Sequence, residues 1–462
     1  MSCASPALTD VPVRDHPLLT ESVARLCWRY GLPTVMSMLV TGIYVAIDGM
    51  FVGHYLGEQG LAGMMLAYPV GAVLYAVGAM IGMGAAALVS IRQGEGRVEQ
   101  ARQLLGNAFT LCLLTGAFFA LVGTSLGRPI LAALGAEGAV LNSAERYLFW
   151  YFALGIFPII SIAFTALLRN DGRPGFVTWV LILGGVLNII LDWLFIVVWP
   201  YGLAGAAVAT MLSQAVTGLL CLQHFFTNKT QLGINWQQMQ LRWAHCSNIC
   251  RVGLPSLLMN LYLSLVLTMH NMAFLWVGGA IYVAAYSVVS YSEALFYLIF
   301  EGIAFGVQPI LSFNAGAGRY DRVLQARRIG FGATLVIAVL GMAFIYSRPD
   351  WLVYLFAGDN ATLTPVAETG MLLYFWGLPM GGLLLVGASF CQAVNRSYEA
   401  SVLTGTKLVV IMLMLWLLGY WLGTTGVWLA LSVSSTILAL WMGLALRRID
   451  RQHNGLNPYQ PA

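Results

Sequence analysis

Twelve predominantly apolar stretches divide this chain, at about 25–52, 61–91, 104–126, 145–168, 176–199, 203–226, 250–277, 281–313, 329–347, 369–393, 402–422 and 425–446. Most exceed the roughly 20 residues that an α-helix needs to cross a hydrocarbon core of about 30 Å. Composition agrees: 59% of the 462 residues are hydrophobic and only 9% are charged, against about 25% charged in a soluble domain. The pattern predicts an all-α membrane protein with twelve transmembrane helices.

Charge placement orients the spans. With the N-terminus inside, the cytoplasmic segments collect Lys and Arg from Arg14, Arg25 and Arg29 through Lys229 to Arg396 and Lys407 and the C-terminal Arg447 and Arg448. Of 23 basic residues, only Arg128, Arg146 and Arg348 fall on the other side, as the positive-inside rule requires of an even number of spans. Both termini are therefore expected in the cytoplasm, with the chain in a bacterial inner membrane. The first 20 residues hold no apolar run of signal-peptide length. The net charge of +4 is spread over loops, which argues against a nucleic-acid surface. Seven scattered cysteines without a CxxC pair suggest neither a disulfide framework nor a zinc site. His245, Cys246 and Cys250 come nearest to metal spacing and read as ordinary loop residues.

The sequence also repeats itself. "RYGLP" at 29–33 returns as "RVGLP" at 251–255, and "SIRQGEGR" at 90–97 returns as "SFNAGAGR" at 312–319, both 222 residues later. "LGIFP" ending at Pro158 and "FWGLP" ending at Pro379 follow at nearly the same spacing, as do "GRPILAAL" and "SRPDWLVYL". Six spans separate the copies, so the halves share one topology and are related by an axis along the membrane normal, as in secondary transporters. The expected organisation is a cytoplasmic tail at 1–24, a six-helix lobe at 25–226, a linker at 227–249, a second lobe at 250–446 and a tail at 447–462.

Within this greasy frame a few polar residues stand out. Asp48 and Asp192 each lie 19 residues from a cytoplasmic arginine, Arg29 and Arg173, about 28 Å along their helices. They are thus expected at one depth in the outer half of the membrane. Asn188 precedes Asp192 by one helical turn and shares its face, and Thr210 reaches a comparable level from the sixth span. A carboxylate near mid-bilayer costs on the order of 3 kcal/mol and is usually functional. Hard oxygen donors of this kind suit a proton or a small alkali cation, so the four residues form a candidate ion-coupling site; a sodium ion is the one metal they would hold.

Offset 222 maps Asp48 onto His270 and Asp192 onto Met414, so the second half does not reproduce the set. His270 reads as a polar gate, a second titrating group or a packed core histidine. Glu293 and Glu301 lie about 80° apart around the eighth span; they either face a central substrate cavity or bond a neighbouring helix. "RNDGRP" at 169–174 reads as a turn, and Gly78 and Gly82 permit close helix contact. No GxSxG, HExxH or P-loop pattern is present, so neither hydrolysis nor ATP drive is encoded in recognisable form. A passive channel stays open at this stage.

The stretches "GLPTVMSMLVTGIYVAIDGMFVGHYLGEQGLAG", "ALLRNDGRP", "LNIILDWLFI", "GLAGAAVATMLSQ" and "GVQPILSFNAGAGRYDRV" resemble the multidrug and toxic compound extrusion (MATE) family, over about 25–446, and within it the DinF-like prokaryotic branch. The resemblance implies a V-shaped pair of six-helix lobes and a monomeric, cofactor-free antiporter, not an enzyme. It would export lipophilic, cationic small molecules in exchange for H+ or Na+. It also implies an ion site on an Asp of helix one, an Asn and an Asp of helix five and a Thr of helix six, which match Asp48, Asn188, Asp192 and Thr210. Acids that other branches carry on helices seven and ten have no counterpart here. A flippase of lipid-linked precursors, with a related architecture, is the alternative; the acidic charges inside the spans disfavour it.

Overall fold

The computed structural model describes residues 16–227, 230, 232–358 and 361–454; Arg14, Lys229, most of the N-terminal tail and the residues from 455 on lie outside the described residues. Within them the chain is helical, and ten helices are long and apolar enough to cross a membrane, with a further bent pair, Gly138–Ala153 and Ile156–Asn170, meeting at 53°.

The longest helix, Val23–Gly94, has 72 residues, about 108 Å of rise, more than three times the hydrocarbon core. It is divided at Gly57, whose φ of 65° and ψ of −162° leave helical space. That division, with the bent pair counted as one span, makes twelve. They are α1 (23–56), α2 (58–94), α3 (Val98–Ala133), α4 (the bent pair), α5 (Pro174–Val198), α6 (Leu203–Phe225), α7 (Trp243–Val277), α8 (Ala280–Gly316), α9 (Tyr320–Ser347), α10 (Thr364–Ala393), α11 (Ser397–Leu422) and α12 (Thr424–Asn454).

The internal repeat is written into the backbone. Ten of the eleven positive φ angles among the described residues fall in pairs across the two halves, Gly138 being the eleventh: Gly57 and Gly279, Gly96 and Gly318, Gly135 and Gly358, Gly172 and Asn395, Gly202 and Gly423. Each pair is 221 to 223 residues apart, and each closes the same turn in its half. Among the described residues, Asn395 alone places a side chain in the left-handed region, where Asn is among the few residues tolerated. Both halves also break their fourth span ahead of the matched prolines, at Leu154–Gly155 before Pro158 and at Phe375–Gly377 before Pro379, since a proline has no N–H for the carbonyl four residues earlier, that of Leu154 or Phe375, and its ring clashes with it. The symmetry is not complete: α3 runs through Pro129, whereas α9 stops at Ser347 and a separate helix, Pro349–Ala357, follows.

Small residues set the packing. A side chain added at Gly78 or Gly82 would meet the α4 backbone at Ile159 or Ala163, which bears out the close contact expected of that spacing. The lobes meet through similar pairs: Gly302 lies against Val35, Gly306 against Gly31, Gly316 against Ile91 and Gly253 against Met80. These contacts gather toward the end of the bundle that holds the turns at 94–98, 170–174, 316–320 and 393–397, here called the basic face. At the same face Asn170 Nδ2 donates to Gln308 Oε1 across the lobes at 2.8 Å, and the Arg169 guanidinium lies 5.6 Å from the Phe305 ring centroid. The "RNDGRP" turn forms as expected, with Gly172 at positive φ. Its Asp171 bonds the His224 ring at 2.7 Å and accepts from the Thr230 hydroxyl at 2.8 Å.

One sequence expectation is corrected. Lys407 was grouped with the cytoplasmic basic residues, but it stands ten residues inside α11, about 15 Å beyond its first turn. There its ammonium rests 4.0 Å from the ring centroid of Tyr262. An aromatic face and a buried acid hold it where a loop lysine would be solvated.

Candidate functional site

The polar core of the first lobe is assembled by glycines on α5. Gly184 lets α6 approach at Thr217, and a side chain added at Gly185 would come within 3.2 Å of Tyr44 on α1. One and two turns further on, Asn188 and Asp192 project into the junction so formed. Both are fully buried, while Asp48 is 7% and Thr210 8% exposed.

Asn188 Nδ2 donates to Thr210 Oγ1 at 3.4 Å, joining α5 to α6. The Asp48 and Asp192 carboxylates are close enough to act on each other electrostatically, and the Tyr147 hydroxyl on α4 senses both. All four sequence-selected residues therefore come together. Their unpartnered atoms are all oxygens: Asp48 Oδ1, Asn188 Oδ1 and both carboxylate oxygens of Asp192 have no hydrogen-bond partner among the described residues. Buried acceptors without donors are costly, and a proton or a small cation is what such a set can take. Directly after Asp192 the chain winds as a π-turn, Trp193–Val198, a distortion frequent at functional sites. Tyr44 and Tyr75 accept from Gln214 Nε2 at 3.2 and 3.4 Å beneath the cluster; no sequence spacing announced these partners.

The second lobe distributes its polar residues differently. His270 is fully buried, with Nδ1 2.9 Å from the Val266 carbonyl oxygen and its ring stacked on Tyr286 at 4.8 Å, so it is packed among aromatic rings. Glu293 accepts from the Tyr374 hydroxyl and lines a cavity of about 40 Å³ with Lys407, Tyr262 and Tyr297. Glu301 instead interacts with Arg169 of the other lobe. The two glutamates thus serve different neighbourhoods, Glu293 inside its lobe and Glu301 toward the lobe interface. Lys407 and Arg169 were missed as site residues. Lys407 could have been found, because it falls inside the apolar window 402–422.

Twelve spans in two repeated lobes, with an oxygen-rich pocket in the first, narrow the field to one kind of transporter, and a family model decides it: the MatE model matches twice, at residues 33–194 and 255–418. The chain belongs to the MatE family. The two matches begin 222 residues apart, the spacing of the repeat. MatE proteins are transporters that need no cofactor, so the chain is not an enzyme, and small molecules are its substrates.

Similarity extends over nearly the whole length. The multidrug export protein MepA of Staphylococcus aureus is 26% identical over 429 residues, covering 90% of this chain and 92% of that protein. The FAD transporter of Shewanella oneidensis is 25% identical over 445 residues, covering 92% and 94%. Among solved structures, a MOP superfamily transporter from Pyrococcus furiosus superposes with a TM-score of 0.89 at 22% identity, over 96% of this chain and 99% of that one. An outward-facing multidrug resistance MATE transporter does so with a TM-score of 0.89 at 23%, over 97% and 99%. The MatE fold and its multidrug-efflux family are thereby fixed for this membrane protein.

Proposed function

We propose that the chain is an antiporter that exports lipophilic organic cations across a bacterial inner membrane while H+ or Na+ enters through the first lobe. One observation carries the reading: Asp48, Asn188, Asp192 and Thr210 converge from three helices, and their free atoms are acceptors only. Asp48 and Asp192 would carry the ion, with Asn188 and Thr210 completing its shell. The lobes are taken as 25–226 and 250–446, joined by 227–249, in a monomer with both termini cytoplasmic. The basic face is then the cytoplasmic one, and the lobe contacts gathered there support a state closed to the cytoplasm. Rocking of the two lobes about the pocket supplies alternating access.

Energetically the scheme is sufficient. One net inward charge per cycle, which a monovalent cationic cargo leaves only when two coupling cations enter, supplies about 3.4 kcal/mol at roughly 150 mV, enough to sustain a cargo gradient of some hundredsfold. The test is uptake of a fluorescent organic cation into proteoliposomes, with proton and sodium gradients imposed separately at fixed membrane potential. Drive by either ion is expected. Flux insensitive to both overturns the antiport reading.

A second cargo, an anionic nucleotide-like amphiphile, is favoured by the FAD transporter of Shewanella oneidensis, whose similarity covers as much of this chain as that of MepA. FAD as competitor in the same uptake assay separates the two: inhibition by FAD and not by organic cations would favour the anion.

A further inference from the structure

We propose that the second lobe contains a monovalent-cation pocket whose resident cation is the chain's own Lys407 ammonium, seated opposite the Glu293 carboxylate. The pocket is separate from the oxygen cluster proposed to couple transport in the first lobe, and its assignment does not depend on that reading.

Glu293 is fixed in place before any cation is considered. The Tyr374 hydroxyl donates to its Oε2, and Tyr374 is held by the break in α10. Ser432 Oγ donates to the Tyr374 carbonyl oxygen and accepts from Gly377 N at 3.0 Å, so one hydroxyl satisfies both backbone groups that the break would orphan. Tyr374 therefore has little freedom to leave the carboxylate.

Lys407 enters the same cavity from α11. Its ammonium sits 4.0 Å from the Tyr262 ring centroid, within cation–π range, and the Tyr262 hydroxyl itself has no hydrogen-bond partner among the described residues. Glu293 and Lys407 act on each other electrostatically, yet they do not close to an ion pair of 4.0 Å or less among the described residues. The charges instead face each other across a space of about 40 Å³, enough for water to bridge them. Of the other charges nearby, Glu301, whose field reaches Tyr297 as that of Glu293 does, is under the electrostatic influence of Arg169 from the opposite lobe, with no ion pair of 4.0 Å or less between them among the described residues. Lys407 is thus the cation available to Glu293.

The geometry around the ammonium is that of a general receptor for small monovalent cations: one carboxylate, several tyrosine hydroxyls and an aromatic face. Occupation by a tethered lysine means that the second lobe draws no ion from solution, and ion traffic is confined to the first. Deleting the ammonium turns the pocket into a binding site for a diffusible cation, an alkylammonium or an alkali ion.

The experiment uses purified full-length protein in detergent and n-butylammonium, the free equivalent of the lysine side chain, with thermal unfolding as the readout. In Lys407→Ala, butylammonium should raise the midpoint saturably by about 2–4 °C. It should do nothing comparable to the unsubstituted protein or to Lys407→Ala/Glu293→Gln. The response should persist when Asp192→Asn is added, which separates this pocket from the first-lobe site. Equal responses in all variants, or none in Lys407→Ala, overturn the proposal. Should Lys407→Ala fail to fold, the isosteric Lys407→Met serves. Adding Glu293→Gln to it should restore stability by removing the orphaned charge, and no restoration contradicts the pairing.

Discussion

Asn188 Nδ2 donates to Thr210 Oγ1 at 3.4 Å, so the amide spends one of its two donors on a neighbouring helix and keeps its carbonyl oxygen for the pocket. Asp192, one turn along the same face of α5, adds two more free oxygens. The bond therefore sorts donors away from the site and leaves acceptors in it.

Removing that bond should weaken ion binding without unfolding the lobe. Thr210→Val leaves a buried amide donor unsatisfied at a cost of about 1–3 kcal/mol, and it deletes one oxygen of the shell. The ion concentration that half-saturates transport should rise about tenfold or more, while Thr210→Ser stays near the parent value. Ion titration of cargo flux in proteoliposomes checks both.

The paired left-handed turns predict paired stability effects. Gly57→Ala and Gly279→Ala each force a Cβ into positive φ with an extended ψ of −162° and −171°, a region that is essentially glycine-only, at about 1–3 kcal/mol. Each should lower the unfolding midpoint by a similar amount, since open space surrounds both positions and strain is the sole cost. Asn395→Gly, which removes the Cβ from a positive φ of 61°, should leave the midpoint unchanged or raise it slightly.

The lobe contact at the basic face is a candidate latch. Gln308→Leu removes the 2.8 Å bond from Asn170, and a buried hydrogen bond contributes about 1 kcal/mol, or about fivefold in a two-state ratio. Spin labels at Glu99 and Tyr398, both exposed on that face, should show the longer-distance population increasing by about that factor. An unchanged distribution would mean that the packed glycines alone hold the lobes.

The segment before α1 straps the first lobe to the second outside the membrane. The Leu18 carbonyl oxygen accepts from Asn314 Nδ2 and Arg322 Nη2, both at 3.1 Å, and the His16 ring stacks on Phe313 at 4.3 Å. Burial holds the His16 imidazole below its usual value of 6.5, against the opposing pull of Asp171. Below 6.5 the undocked segment binds more protons than the docked one, so docking weakens as pH falls through that value and is constant above it. The hydrogen-exchange protection factors of residues 18–21, taken against the intrinsic rate at each pH, should therefore fall below about pH 6.5, and His16→Phe should abolish that fall.

Much of this was legible in the chain. Apolar windows and one-sided arginines specify the spans because the bilayer fixes helix length, and the matched "LGIFP" and "FWGLP" stretches mark the repeat, although not that the span breaks there. Asp48, Asn188, Asp192 and Thr210 could be grouped because rise per residue sets depth and a four-residue spacing sets the face. Lys407 was not, because a lysine five residues inside a window's edge ordinarily snorkels to the interface. What holds it inward is Tyr262 and Glu293 on other helices. The separation of Glu293 from Glu301 was hidden for the same reason: an angle on α8 says nothing of the broken α10 or of Arg169 in the opposite lobe. The π-turn after Asp192 has no local signal in the chain, whereas the break before the extra helix Pro349–Ala357 does: Pro349 keeps Arg348 out of helical space at φ −146° and opens the next helix.

The central claim, that the first-lobe carboxylates carry the coupling ion, is tested most directly by cargo flux in proteoliposomes holding Asp48→Asn or Asp192→Asn. Each should still exchange labelled cargo down its own gradient but lose acceleration by an imposed proton or sodium gradient. Full gradient drive in both variants would contradict the account.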